Sequence, residues 1–403
     1  MSAEPPGVKH PHSPPGMAGV PKFHPLEAAV LALLFVAGIV SPFVKQHFFG
    51  EPDTSFIEKR ILAPAPIVAG GFRSQVRFFP GKFDAWYGDH FGFRAVLLEA
   101  GAVIKVRGFG DSDRVMIGKE GWLYLKMDPP LFTQSFDAKQ LAGWKEYLEG
   151  RQRWLAARGI KYLFVVPPDK DSIYPEFLPS KAGTPPAELP VDQLVRYLKE
   201  THSPVDILSL REAVLAGKRR EQAPIYYKQD THWNSLGAFY GYQEIIRRLS
   251  DEVPNLKAIP RNDYRVVFAK EEMHDIADLA GLPAFTILTG PKLAPASPGV
   301  INAFELRPYV ANHPYTVQMP HPANEPRAVV FCDSYTMALA PYYAQSFSRV
   351  TYFWPSTYQG LEKALGETVL AEKPDIFIEE RLQRLVVAVP EVAPFADAAG
   401  SKP

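Results

Sequence analysis

The chain has 403 residues, 46% of them hydrophobic, with 44 basic and 44 acidic side chains and a formal charge of zero. That length suits one large α/β domain with appendages or two domains, and the balanced charge gives no basic footprint for nucleic acid. Its single cysteine, Cys332, excludes an intramolecular disulfide framework and a multi-cysteine metal site.

Residues 1–25, rich in Pro, Gly and His, are expected to form a disordered tail. Residues 26–45 then read LEAAVLALLFVAGIVSPFVK, an apolar run about as long as a bilayer-spanning helix requires. The flanking Glu27 and Lys45, and the absence of an A-x-A-like site after the run, favour an uncleaved anchor over a buried helix or a cleaved signal. The tail is then expected in the cytoplasm and most of the chain on the far side of the membrane. Residues 46–110 form a linker and helical region, with aromatic and aliphatic residues at helical spacing in 83–88 and 91–106. Two apolar runs around Gly118-Lys119-Glu120-Gly121 predict a hairpin.

Short apolar strands alternating with amphipathic helices fill residues 111–390. Helices are expected at 140–158, 191–200 and 235–249, and strands at 161–166, 205–208, 328–331, 349–353 and 375–378. The pattern predicts a mostly parallel sheet covered on both faces. Residues 250–326 break the alternation and read as an insertion, with antiparallel strands at 265–268 and 315–318. Residues 391–403 are expected to be a flexible end.

Two constellations carry chemistry. Cys332-Asp333-Ser334-Tyr335 sits between a buried strand and a helix, where a serine is either an N-cap or a nucleophile with backbone N–H groups nearby. Cys332 lies on the strand side of the turn, as a small buried hydrophobe would. Asp230-Thr231-His232-Trp233 places a carboxylate and an imidazole on one loop before a helix, which is the orienting half of a nucleophile, base and acid triad. The alternative is that Asp230 or Asn234 caps the helix and His232 packs beside Trp233. A dinuclear metal site using Asp333 would need further ligands, and His202, His274, His313 and His321 stand without ligand spacing. No metal and no cofactor is therefore expected.

Taken in order, several blocks resemble the SGNH-hydrolase-like proteins of polysaccharide O-acetylation, of the alginate acetyltransferase J/X type. They are Glu58-Lys59-Arg60-Ile61-Leu62-Ala63-Pro64, the 89–94 segment, Gly121-Trp122-Leu123-Tyr124, Val166-Pro167-Pro168-Asp169-Lys170, Asp230-Thr231-His232-Trp233, Asp333-Ser334-Tyr335 and Lys373-Pro374-Asp375. The resemblance implies an SGNH/flavodoxin-like three-layer α/β sandwich, with the serine block after the Asp/His block as in the permuted branch. It implies a triad of Asp230, His232 and Ser334. Cys332 stands where the Gly-Asp-Ser form has glycine. Tyr335, Trp233, Lys170 and Tyr227 are the oxyanion or substrate candidates, and Tyr226, Trp354 and Tyr358 are further aromatic faces for sugar. The implied activity is transfer of an acetyl group through an acyl-serine onto a polysaccharide, with a multi-pass acyltransferase as donor partner at the inner membrane. An esterase with the same triad and a non-catalytic polysaccharide scaffold are the alternatives.

Overall fold

The computed structural model describes residues 24–49, 54–55, 60–67, 72–110, 112–253, 255–270, 273–282, 289–296, 314–318, 325–355 and 361–390. Nearly all of the expected tail, the 391–403 end and much of 250–326 lie outside them. The chain divides into two compact units, residues 1–55 with 60–97, and residues 56–59 with 98–403.

The first unit holds α1 (Pro25–Phe49), two short paired strands β1 (Thr54–Ser55) and β2 (Arg60–Ile61), α2 (Phe72–Asp89) and the start of α3 (Arg94–Phe109). Among the described residues α1 is the one helix long and apolar enough to cross a bilayer, with a mean hydropathy of 2.2 over its most apolar window. Its Leu33, Leu34 and Phe35 side chains are all more than half exposed.

The second unit begins with the expected hairpin, β3 (Val115–Ile117) and β4 (Leu123–Leu125). Its helix α4 (Ala138–Ala156) starts where Asp137 and Gln140 form a reciprocal capping box, and it leads into β5 (Lys161–Val166). Next come α5 (Lys170–Ile173), α6 (Pro190–Glu200), β6 (Ile207–Ser209), α7 (Arg211–Arg220) and α8 (Ser235–Ser250). The intervening region supplies β7 (Tyr264–Lys270), α9 (Asp275–Leu279), β8 (Thr289–Pro295) and β9 (Pro314–Gln318). The chain closes with β10 (Arg327–Phe331), α10 (Thr336–Tyr343), β11 (Arg349–Phe353), α11 (Glu362–Glu372), β12 (Ile376–Glu380) and α12 (Gln383–Val386).

Six strands form one sheet in the order β6-β5-β12-β10-β11-β9, parallel except for β9. Both faces are buried, and β10 shows why its sequence is continuously apolar. Ala328 and Val330 enter one core cluster, while Val329 and Phe331 enter the other. The antiparallel strand expected at 315–318 is β9, and it forms the edge of the main sheet, paired with β11. β7 finds its partner in β8. From β10 the chain crosses to β11 on one side and returns through β12 on the other, so the sheet order reverses at β10. Ligands in open α/β sheets bind at such a switch point, outside the carboxyl ends of the strands.

Candidate active site

Ser334 lies in the turn leaving β10 at that switch point. Asp333 shapes the turn: its Oδ1 accepts the Tyr335 N–H at 2.9 Å and its Oδ2 accepts the Leu382 N–H at 2.8 Å, tying the turn to the chain just beyond β12. Cys332 is 3% exposed, and its Sγ–H donates to the Phe353 carbonyl at 3.6 Å. Burial raises its pKa well above the ordinary thiol value, so the thiol is protonated and packed, unlike a nucleophilic thiolate.

The second half of the site comes from the loop between α7 and α8. Its ends are closed by a Tyr226–Trp233 bridge and by the Asn234 N–H donating to the Ile225 carbonyl at 3.1 Å. Asn234 caps α8, its Oδ1 accepting the Leu236 and Gly237 N–H groups. Gly237 is needed there, because a Cβ would come within 2.3 Å of the Ile225 carbonyl oxygen. The hairpin grips the loop through Leu123 N–H to the Lys228 carbonyl at 2.9 Å, and α9 grips it through Ala277 N–H to the Gln229 carbonyl at 3.1 Å.

This framing sets Asp230, His232 and Ser334 in one line. His232 Nδ1 lies 2.6 Å from Asp230 Oδ1, and His232 Nε2 lies 2.7 Å from Ser334 Oγ. Asp230 is fully buried, His232 nearly so and Ser334 part-exposed. Burial alone would raise the Asp230 pKa. The hydrogen bond and charge of His232, with N–H donation from Asp275 and His232, outweigh it and hold the carboxyl well below the usual range. The imidazole is thus fixed with Nδ1 toward a carboxylate and Nε2 toward the hydroxyl, a geometry able to take a proton from Ser334.

Sequence reasoning missed Asp275. Its Oδ1 accepts the Thr231 N–H and its Oδ2 the Thr231 hydroxyl, both at 2.7 Å, while its own N–H donates to Asp230 Oδ2 at 2.7 Å. Asp275 Oδ2 is also 3.9 Å from His232 Nδ1. Burial and the nearby Asp230 charge raise the Asp275 pKa. The signal for it was present in Met273-His274-Asp275, but no spacing links that segment to residue 230. Asp230, His232 and Asp275 offer ligand atoms within 4.8 Å of one another. The 2.6 Å separation of Nδ1 and Oδ1 is that of a hydrogen bond, and two ligands of one metal ion at about 2 Å each sit further apart. Both Asp333 oxygens take backbone N–H groups as described.

Three substrate candidates are corrected. Lys170, 3% exposed, sends its ammonium into the loop, donating to the carbonyls of Asp230 at 2.6 Å, Lys228 at 3.1 Å and Tyr227 at 3.2 Å. It also lies over the Tyr124 and Trp122 rings. Trp233 is buried, with its indole N–H donating to the Tyr335 carbonyl at 3.1 Å. Tyr335 is buried beside the His232 ring, its hydroxyl donating to the Thr231 carbonyl at 2.6 Å. The Tyr335 N–H, expected toward an oxyanion, goes to Asp333 instead. Tyr226 is likewise buried, its hydroxyl on the Pro168 carbonyl at 2.7 Å. Tyr227 and Trp354 remain half-buried, and Tyr358, His313 and His321 lie outside the described residues.

Residues 115–303 match the family described as "SGNH hydrolase-like domain, acetyltransferase AlgX". The "Probable alginate O-acetylase AlgJ" of Pseudomonas aeruginosa is 28% identical over 209 residues, 50% of this chain and 49% of that protein. Its namesake in Pseudomonas fluorescens is 28% identical over 142 residues, 35% of this chain and 34% of that protein. The chain spans about half the length of the curated relatives it matches. The solved structure of Bacillus cereus PatB1 covers 69% of this chain and 100% of that one, with a TM-score of 0.50 and 17% identity, a likeness of fold. The chain is therefore similar to the SGNH-hydrolase-like acetyltransferases of the alginate J/X type, as its motifs imply, and its layered sheet is the SGNH-like one.

Proposed function

We propose, from that kinship, that this chain is a serine-triad O-acetyltransferase acting on the hydroxyls of a cell-surface or exported polysaccharide. The observation that carries the reading is the continuous line from Asp230 through His232 to Ser334 at the switch point of the sheet. His232 Nε2 takes the Ser334 proton as Oγ attacks the acetyl carbonyl, and Asp230 stabilises the imidazolium that forms. His232 returns the proton to the departing donor group, leaving acetyl-Ser334. A sugar hydroxyl then repeats the attack, giving its proton to His232, and Ser334 leaves with that proton. The Ser334 N–H, at the start of the turn into α10, is the first donor for the oxyanion. With α1 as an anchor and the second unit on the extracytoplasmic side, no free acetyl-CoA is at hand, so the acetyl group is delivered across the membrane, and the family resemblance implies a multi-pass membrane acyltransferase as the partner that delivers it.

Labelling with a serine-directed fluorophosphonate tests the nucleophile. The wild-type chain is expected to react, and Ser334→Ala to keep its fold and lose the label. Equal labelling of Ser334→Ala would refute the assignment. An acetyl ester supplied together with an oligosaccharide then separates transfer from hydrolysis by where the acetyl group appears; free acetate alone would make the chain an esterase.

A further inference from the structure

Beyond α1, the first unit exposes several large apolar side chains, Ile67, Phe78, Phe83, Val96 and Leu97. Two of them, Phe78 and Phe83, lie on α2. Phe79, Phe83, Trp86 and Tyr87 stand at i, i+4, i+7 and i+8, one face of a helix, with Arg77, Asp84 and Gly88 turned away from it. The rings form a ladder, with centroids 5.9 Å apart for Phe79 and Phe83, 5.8 Å for Phe83 and Trp86, and 5.9 Å for Phe83 and Tyr87. Phe83 nevertheless remains 43% exposed, so the ladder does not bury itself. Lys82 borders the stripe, and both it and Arg77 are exposed.

The end of this ladder is fixed against α1. Tyr87 meets Phe43 at 5.7 Å between centroids, and Lys45 Nζ sits 5.7 Å from the Phe93 ring. At Gly92 the backbone approaches α1 so closely that a Cβ would fall 2.1 Å from the Pro42 carbonyl oxygen. Phe43 and Lys45 are the positions at which the apolar run of α1 gives way to charge. The C-terminal end of α2 is thus held at the depth where a spanning α1 leaves the hydrocarbon. Aromatic rings and long basic side chains concentrate at that depth, the rings at headgroup level and the cations reaching lipid phosphates.

We infer that α2 is an interfacial helix, lying on the leaflet from which α1 emerges, with the Phe79, Phe83 and Trp86 stripe at the headgroup–acyl boundary and Arg77 and Lys82 toward anionic phosphates. The occupant of the exposed stripe is the bilayer. Continuity with α1 and the basic residues on the same helix favour it over a protein partner. The inference rests on α1 being an anchor, and the test separates the two.

Nitroxide labels are placed by Leu33→Cys, Phe83→Cys and Asp84→Cys in a full-length Cys332→Ala background. The protein is reconstituted in phosphatidylethanolamine–phosphatidylglycerol vesicles, and collision with oxygen is compared with collision with a water-soluble nickel chelate. Labels at 33 and 83 are expected to favour oxygen and the label at 84 to favour nickel. An Arg77→Gln, Lys82→Gln double variant should shift the label at 83 toward nickel. Nickel access at 33 would overturn the anchor and the inference with it. An oxygen-favouring label at 33 beside a nickel-favouring label at 83 would overturn the inference alone, as would a label at 83 shielded from both reagents, which marks a protein contact.

Discussion

Replacing Lys170 by methionine removes one ammonium and three hydrogen bonds while keeping an apolar stem over the Tyr124 and Trp122 rings. Hydrogen bonds to a charged group each contribute about 1.5–3 kcal/mol. The three here share one donor group, and two are longer than 3 Å, so their sum is less than three independent bonds. We expect a loss of about 3–5 kcal/mol, a large part of the roughly 5–15 kcal/mol that stabilises a typical domain. For a unit as large as the second one, with roughly 2.1 cal/mol/K of unfolding entropy per residue, that corresponds to a fall in apparent Tm of about 5–8 °C. The lost carbonyl anchors also free the Asp230–His232 loop, so fluorophosphonate labelling of Ser334 should slow in the fraction that stays folded. Thermal unfolding followed by circular dichroism, with labelling at a temperature where the variant is folded, reads both effects. An unchanged Tm with weakened polysaccharide binding would refute the reasoning and return Lys170 to the substrate candidates.

Asp230→Asn should leave the circular dichroism spectrum unchanged and lower turnover by about 10⁴-fold, because an amide can hold the imidazole in the wrong tautomer. Asp275→Asn keeps the shape but gives up the paired acceptance from Thr231; misplacing His232 through that loop should slow labelling of Ser334 by up to about 10²-fold, with the fold intact. Burial beside Asp169 holds the Asp171 carboxyl up to about 7. Since an unfolded Asp titrates near 3.9, the native state keeps a proton through that interval which the unfolded state has released. Stability should therefore fall as pH rises from about 4 to about 7, and urea titrations of Asp171→Asn should show a flatter profile over that range.

Much of the second unit was legible because local physics fixes it. The apolar run of β5, the amphipathic spacing of α4, and Asn234 opening α8 each announce an element from a few neighbouring residues. The partner of β9 was not legible, for the complementary reason. Its short pattern says strand, but which sheet it joins depends on the exposed flank of β11, far away in the chain. Lys170, Trp233 and Tyr335 were read as substrate-facing because residue type is silent on direction; the same ammonium and rings that suit a sugar also suit three loop carbonyls and a buried core.

The sequence by itself determined the alternation of strand and helix, the apolar length of α1 and the chemical types at 230, 232 and 334, since these depend on composition and spacing within single segments. Tertiary structure decided the rest. Ser334 lies 102 residues beyond His232, and only the reversal of sheet order at β10, with the hairpin and α9 clasping the loop, brings Oγ within 2.7 Å of Nε2. The same packing brought in Asp275 and turned Lys170 inward, because burial obliges each polar group to find its partner wherever the fold has carried it.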